Sequence, residues 1–342
     1  MGAELPFDHP QFHLLRQSAT IDPDSSALEA IRKLEPNIEN WNQLLAEAER
    51  HGLSNLLARN MTLAGCSPPE EIHHQITALK VRHRRANETR MAALAEILES
   101  LDSAGIPSAV LKGAALVNMI YPDCELRPMG DIDILVPPSA ALPAQQCLRK
   151  LGFTAEDRKR GMQSEHHHLP AALRIDRGLQ VVVEIHTDAV SQDTGLVLDW
   201  DSVVPTLQVF RVRGSEAHAL GDVDMLRHLC HHAFEPAETF KLIALADIYG
   251  YCHHFCERIA WDVIARRFPM VFNTLTLLGC LAPAPESIRH VLPAIQSPCP
   301  RDAGKGYTHL STILKEDRGL FTRSRRMLVA PEWWMRCYYN EP

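Results

Sequence analysis

Between Gly130 and two consecutive prolines runs Asp-Ile-Asp-Ile-Leu-Val, residues 131–136, and its alternation limits what this chain can fold into. A strand points successive side chains to opposite faces, so Asp131 and Asp133 share one face while Ile132, Ile134 and Val136 share the other. The aliphatic face requires a sheet with a core behind it. Two carboxylates held a few ångströms apart repel each other unless a divalent cation lies between them. On a rigid strand such a pair suits a Mg²⁺ site for phosphoryl chemistry, with Mn²⁺ as the alternative ion. Taken alone, Asp-x-Asp equally fits a solvated sheet edge, so its surroundings must decide.

Eighteen residues before Asp131, at Gly113, the sequence SAVLKG reads as a short strand that passes through a glycine into the helical AALVNMIY. A helix that starts this way presents free backbone N–H groups and its positive dipole end to a phosphate. Lys112, Gly113 and Ala114 are therefore candidate nucleotide-binding residues. Arg127 precedes the acids in LRPMGDID, where it can pair with a phosphate or brace an aspartate. Glu184 is the single acid in the apolar run VVVEIH and the candidate third member of the metal site; His186 shares its face.

The order of elements predicts an α+β fold. Residues 26–104 read as helical, with Pro68 and Pro69 opening a long helix that Gly105 stops. Strand, helix, strand, helix, strand, strand follow, with Arg177-Gly178 as the last turn, which makes a small mixed sheet. From about Leu220 the pattern is helical again, in VDMLRHLCHHAF, FKLIALADIYGYCHHF and WDVIARRF, before a proline-rich stretch and a tail. The expected division is an N-terminal helical region (1–104), a catalytic domain (105–215) and a C-terminal helical region (216–342).

A net charge of −7 argues against a general nucleic-acid binder. No apolar run reaches the roughly 18 residues that a membrane span needs. The opening MGAELPFDHPQF lacks a basic start and an apolar core, so no signal peptide is expected. Nine scattered cysteines suggest reduced thiols, and with them a cytoplasmic location.

Strand, glycine turn, helix and hydrophobic-Asp-hydrophobic-Asp together resemble the nucleotidyltransferase superfamily that includes DNA polymerase beta and kanamycin nucleotidyltransferase. More closely, AGIPSAVLKGAAL, YPDCELRPMGDIDILV, HHLP, VVVEIH, HLCHHAF, LIALADIYGY and LVAPEWWMRCYY resemble an uncharacterised bacterial family, nucleotidyltransferase type 5, over roughly residues 40–340. The resemblance implies a small mixed-sheet nucleotidyltransferase core flanked by helical regions. It implies Asp131, Asp133 and Glu184 as catalytic metal ligands (Glu184 alternatively as the base), and Gly113 as the turn that lets a triphosphate approach. The implied reaction moves a nucleoside monophosphate from a nucleoside triphosphate such as ATP to an acceptor: a small molecule, peptide, protein or RNA. The superfamily turn usually reads Gly-Ser or Gly-Gly; here it is Gly113-Ala114, so backbone N–H groups or Lys112 must replace a hydroxyl.

Rival readings are a degenerate nucleotide-binding module and a toxin-like enzyme that modifies tRNA or protein. A zinc hydrolase has little support: His228 and His232 are four apart on a helix, but Leu229 stands where a zinc-protease glutamate belongs, and Cys252 and Cys256 lack a zinc-knuckle spacing. That helix is expected to turn one or two histidines and Lys241 toward the nucleotide. His167 or His168 is a candidate for the cleft beside Glu184, and Asp247 for a cap or an internal salt bridge, with a cleft-facing role as the alternative. The basic run RHRR, residues 82–85, reads as a solvated helix face. Arg323, Arg325 and Arg326 with Trp333 and Trp334 read as a tail that docks on the body.

Overall fold

The computed structural model describes residues 9–155, 168–190, 198–233 and 240–292. It divides into two compact units, one drawn from Met1–Leu79 with Leu229–Pro342, the other Lys80–His228. Helices α1 (Pro10–Ser18), α2 (Ser25–Leu34), α3 (Trp41–Arg50) and α4 (Ser54–Leu63) begin the first unit. Side chains start two of them: Asp24 accepts the Ala27 N–H at 2.8 Å and Asn40 accepts that of Gln43 at 3.0 Å. Leu14, Leu15, Ile31, Leu44, Leu56 and Met61, spaced along the apolar faces, are almost wholly buried.

Helix α5 (Glu70–Ser103) follows Pro68 and Pro69 and crosses the division between the units. It ends where Gly105 takes φ 67° and the Ile106 N–H reaches back to the Leu101 carbonyl at 2.9 Å, as the sequence predicts.

The second unit contains β1 (Ala109–Val110), α6 (Lys112–Met119), β2 (Ile132–Leu135), α7 (Ala141–Lys150), β3 (Thr154–Ala155), β4 (Ala172–Asp176), β5 (Leu179–His186), α8 (Trp200–Val203), β6 (Gln208–Val212) and β7 (Ser215–Ala219). Among the described residues they form a mixed seven-stranded sheet in the order β3-β4-β5-β2-β1-β7-β6. Strands β1 and β2 are antiparallel, whereas β2 lies parallel to β5. Ile132, Ile134, Val136, Val181, Val183 and Ile185 are at most 1% exposed, so the aliphatic face of the 131–136 alternation is core. The expected turn at Arg177-Gly178 joins β4 to β5, with both residues at positive φ. Arg213-Gly214 repeats this turn between β6 and β7, a hairpin absent from the sequence reading. The strand expected across HHLPAALRI starts only at Ala172, and His168 before it makes an isolated bridge to His186.

Helix α9 (Asp222–Ala233) crosses the division, and α10 (Ile243–His254), α11 (Trp261–Arg267), α12 (Pro269–Leu281) and the single turn α13 (Glu286–Arg289) complete the first unit. Among the described residues no helix is long and apolar enough to cross a membrane.

Candidate active site

Parallel pairing sets Asp133 of β2 beside Glu184 of β5, and Leu135 beside His186. Same-face neighbours on adjacent strands stand close together, so two acids and a histidine distant in sequence converge at one end of β2. The His186 Nε2 lies 2.8 Å from the Asp133 Oδ1 and 3.5 Å from the Glu184 Oε2. One ligand atom from each of the three lies within 4.8 Å of the others, a spacing at which one cation can touch all of them. Asp133 and His186 are almost wholly buried, and the Glu184 side chain retains 23% exposure, so the group opens to solvent on the Glu184 side. Asp131 stands one residue ahead of β2, exposed to solvent and outside that three-residue group.

The start of α6 meets these acids. The Leu111 N–H donates to the Asp133 carbonyl at 3.0 Å, and the Lys112 Nζ donates to the Asp133 Oδ1 at 3.3 Å. Lys112 has φ 45°, a left-handed conformation that is costly for a residue with a Cβ. No side chain caps the helix. Gly113 has a steric reason to be glycine: a Cβ there would come within 2.1 Å of the Arg127 Nη1 and 2.7 Å of its Cζ. The guanidinium therefore lies directly on the helix start. Asn87 of α5, missed in the sequence reading, holds the segment that carries Arg127 by donating to the carbonyls of Cys124 at 2.6 Å and Arg127 at 2.8 Å.

Electrostatics bind the group together. Burial works against a charge on Lys112, but Asp133 and Asp131 outweigh it and raise its pKa. His186 behaves alike: burial opposes protonation, yet hydrogen bonds to Asp133 and Glu184 hold its pKa above 6.5. Glu184 is held below the usual carboxylate range chiefly by the hydrogen bond from His186, against burial and the charge of Asp133. Protein crowding pushes the Asp131 carboxyl up, and Asp133 adds to the effect, while Lys112 and Arg127 pull it back.

Of the residues expected at the site, Asp131, Asp133, Glu184, Lys112, Gly113, Ala114, Arg127 and His186 belong to the second unit. Lys241 belongs to the first unit, just before α10, where its charge acts on His51. His168 reaches the site, its Nδ1 4.0 Å from the Glu184 Oε2, whereas His166 and His167 fall outside the described residues. His228 and His231 are buried in α9, and Asp247 is buried in α10. No group of three metal-capable side chains among the described residues includes His228, His231, His232, Cys252 or Cys256. Arg84 pairs with the buried Glu125; Arg82, Arg84 and Arg85 are exposed as expected, whereas His83 of the same run is buried, because it falls on the inner face of α5. The arginines and tryptophans of the tail also fall outside the described residues.

Two solved structures are distantly similar. An antigenic nucleotidyltransferase-like protein from Paracoccidioides brasiliensis is 15% identical, covering 60% of this chain and 93% of that one, with a TM-score of 0.42. The antibiotic-resistance factor ANT(2'')-Ia is 13% identical, covering 56% of this chain and 96% of that one, with a TM-score of 0.38. No curated protein matches the chain. A family model described as uncharacterised nucleotidyltransferase matches residues 37–271, which take in the whole acidic group, the start of α6 and most of the described helices. The match spans about two-thirds of the 342 residues, and the chain belongs to this family of nucleotidyltransferases.

Proposed function

We propose that the protein transfers a nucleoside monophosphate from a nucleoside triphosphate to an acceptor, using Mg²⁺ or Mn²⁺ held by Asp131, Asp133 and Glu184. The in-register pairing of Asp133 with Glu184, beside an uncapped helix start, carries this reading. Carboxylate oxygens are the donors these hard cations prefer. When bound, the cation neutralises triphosphate charge and favours attack by the acceptor oxygen.

The chain's own residues divide the remaining work. The Gly113 and Ala114 N–H groups and the Arg127 guanidinium receive the phosphates, and Lys112 adds its charge from beside Asp133. His186, buried between Asp133 and Glu184, orients both carboxylates through its Nε2, which lies closer to Asp133. The lowered pKa of Glu184 keeps it ionised, which suits a ligand better than a base. In the transfer the acceptor heteroatom bonds to the α-phosphorus, the bond from that phosphorus to the β-bridging oxygen breaks, and pyrophosphate leaves. The acceptor is a small molecule, a peptide, a protein or an RNA end, and the net charge of −7 weighs against the last. A cytoplasmic location completes the proposal.

Calorimetry with each nucleoside triphosphate and Mg²⁺ or Mn²⁺ tests the reading. Metal-dependent binding lost in Asp131→Asn/Asp133→Asn supports it and identifies the donor. Folded wild-type protein that binds no triphosphate would point instead to a degenerate module.

A further inference from the structure

We infer that Arg90, on α5, binds the triphosphate of the donor, from the side of the site occupied by Asp131; this rests on the nucleotidyl-transfer reading above. Arg90 is 8% exposed, and its Nε has no hydrogen-bond partner among the described residues. Three other arginines of this unit are satisfied by carboxylates. Arg174 reaches Asp176 at 2.6 Å and Glu96 at 2.8 Å, Arg227 reaches Asp224 at 2.7 Å, and Arg84 holds Glu125. Arg90 has no such ion pair among the described residues. A buried guanidinium without a counter-ion is costly and persists where an anion completes it.

Its place in the fold says which anion. Asn87, three residues earlier and on the same face of α5, donates to the Arg127 carbonyl at 2.8 Å. Met91, the next residue, is met by the Asn118 amide of α6 at 3.1 Å. The α5 surface at Arg90 thus adjoins both α6 and the segment whose arginine lies on the start of α6. The charge that acts on Arg90 is that of Asp131, which offsets part of the burial that lowers its pKa. Asp131 also feels Lys112 and Arg127, so three cations act on the same acid. A planar five-donor fork at this position suits the oxygens of a polyphosphate. The sequence reading passed over Arg90 because it stands in a long polar helix, where arginines are usually solvated.

The probe is inorganic tripolyphosphate with Mn²⁺, titrated into the full chain by calorimetry, with thermal melting of the unliganded protein alongside. Arg90→Met is expected to weaken tripolyphosphate at least about tenfold, as loss of a charge-assisted pair does, while the unliganded melting temperature holds or rises. Arg90→Lys, which keeps the charge without the fork, is expected to fall between the two. A lower melting temperature in both variants would assign Arg90 to the fold and overturn the inference. Binding by Arg90→Met equal to wild type would overturn it while leaving the site reading intact. Wild-type protein that does not hold tripolyphosphate would overturn both.

Discussion

Replacing Gly113 with alanine separates stability from activity at the start of α6. The added Cβ would lie 2.1 Å from the Arg127 Nη1, whereas ordinary contact begins at 3.4 Å, so one of the two must move. The guanidinium is the far end of a flexible side chain, and it yields by more than an ångström. Gly113 lies outside the left-handed region, so alanine suits its backbone and adds up to about 1 kcal/mol of helix preference. The expected result is an unchanged or higher melting temperature with weakened nucleotide handling. A displaced charge-assisted hydrogen bond is worth about 1.5–3 kcal/mol, roughly ten- to a hundredfold in affinity for the triphosphate or in kcat/KM. A double-mutant cycle with Arg127→Met reads the mechanism directly, since Gly113→Ala should then cost almost nothing further. An equal cost in both backgrounds would refute the argument, because the methyl would then be obstructing the ligand itself rather than Arg127.

Other substitutions probe the acids, the second tight glycine and the buried histidine. Asp131→Asn/Asp133→Asn should abolish metal-dependent triphosphate binding and transfer, with far-ultraviolet circular dichroism unchanged. Gly221→Ala should behave opposite to Gly113→Ala: its Cβ would meet the Thr206 carbonyl oxygen at 2.3 Å, backbone that cannot swing away. A loss of about 1–3 kcal/mol in urea unfolding is expected there. His51 is fully buried, accepts the Leu242 N–H at Nδ1 (3.3 Å) and meets the Arg50 guanidinium at Nε2 (3.0 Å). Burial first, then the charges of Arg50 and Lys241, lower its pKa from 6.5 to about 3. The unfolded chain therefore takes up this proton first as pH falls, and stability is lost from about pH 6.5 toward pH 3. Between pH 7 and pH 4 the loss comes to about 3 kcal/mol. His51→Asn should remove that part of the pH dependence, and parallel unfolding curves for the two proteins would refute the assignment.

Local chemistry made much of the second unit legible. Alternation fixed which face of residues 131–136 is core, Pro68 and Pro69 marked the start of α5, and Gly105 its end. The turn at Arg177-Gly178 was readable because a two-residue turn with positive φ at both positions leaves few options. The identical dipeptide at 213–214 carried the same signal, flanked by alternating QVFRV and SEAHA, and could have been read in the same way. Strand adjacency was not legible. That β2 lies parallel to β5 depends on a crossover through α7, β3 and β4, and no local pattern encodes a pairing across some fifty residues. His186 was legible as a neighbour of Glu184 but not as the residue between Glu184 and Asp133, because that position follows from the pairing. Asn87 and Arg90 were hidden for a related reason: a polar residue on a long helix gives no sign of which face it will bury.

Charge balance connects these observations. The charges of Asp133 and Glu184 act on Asp131, Lys112 feels all three acids, and Arg127 and Arg90 act on Asp131, while His186 bonds Asp133 and Glu184. Neither pairing is cost-free. Lys112 holds a left-handed backbone to bring its Nζ to Asp133, and His186 is buried with burial opposing its protonation. An arrangement that serves stability alone would place aliphatic side chains here. On the proposed function the costs have a use, since a divalent cation takes over the carboxylates while the triphosphate takes over the cations. The ligand brings both signs of charge, and the site already holds both. The expected consequence is cooperative binding in which metal strengthens triphosphate affinity and triphosphate strengthens metal affinity by the same factor.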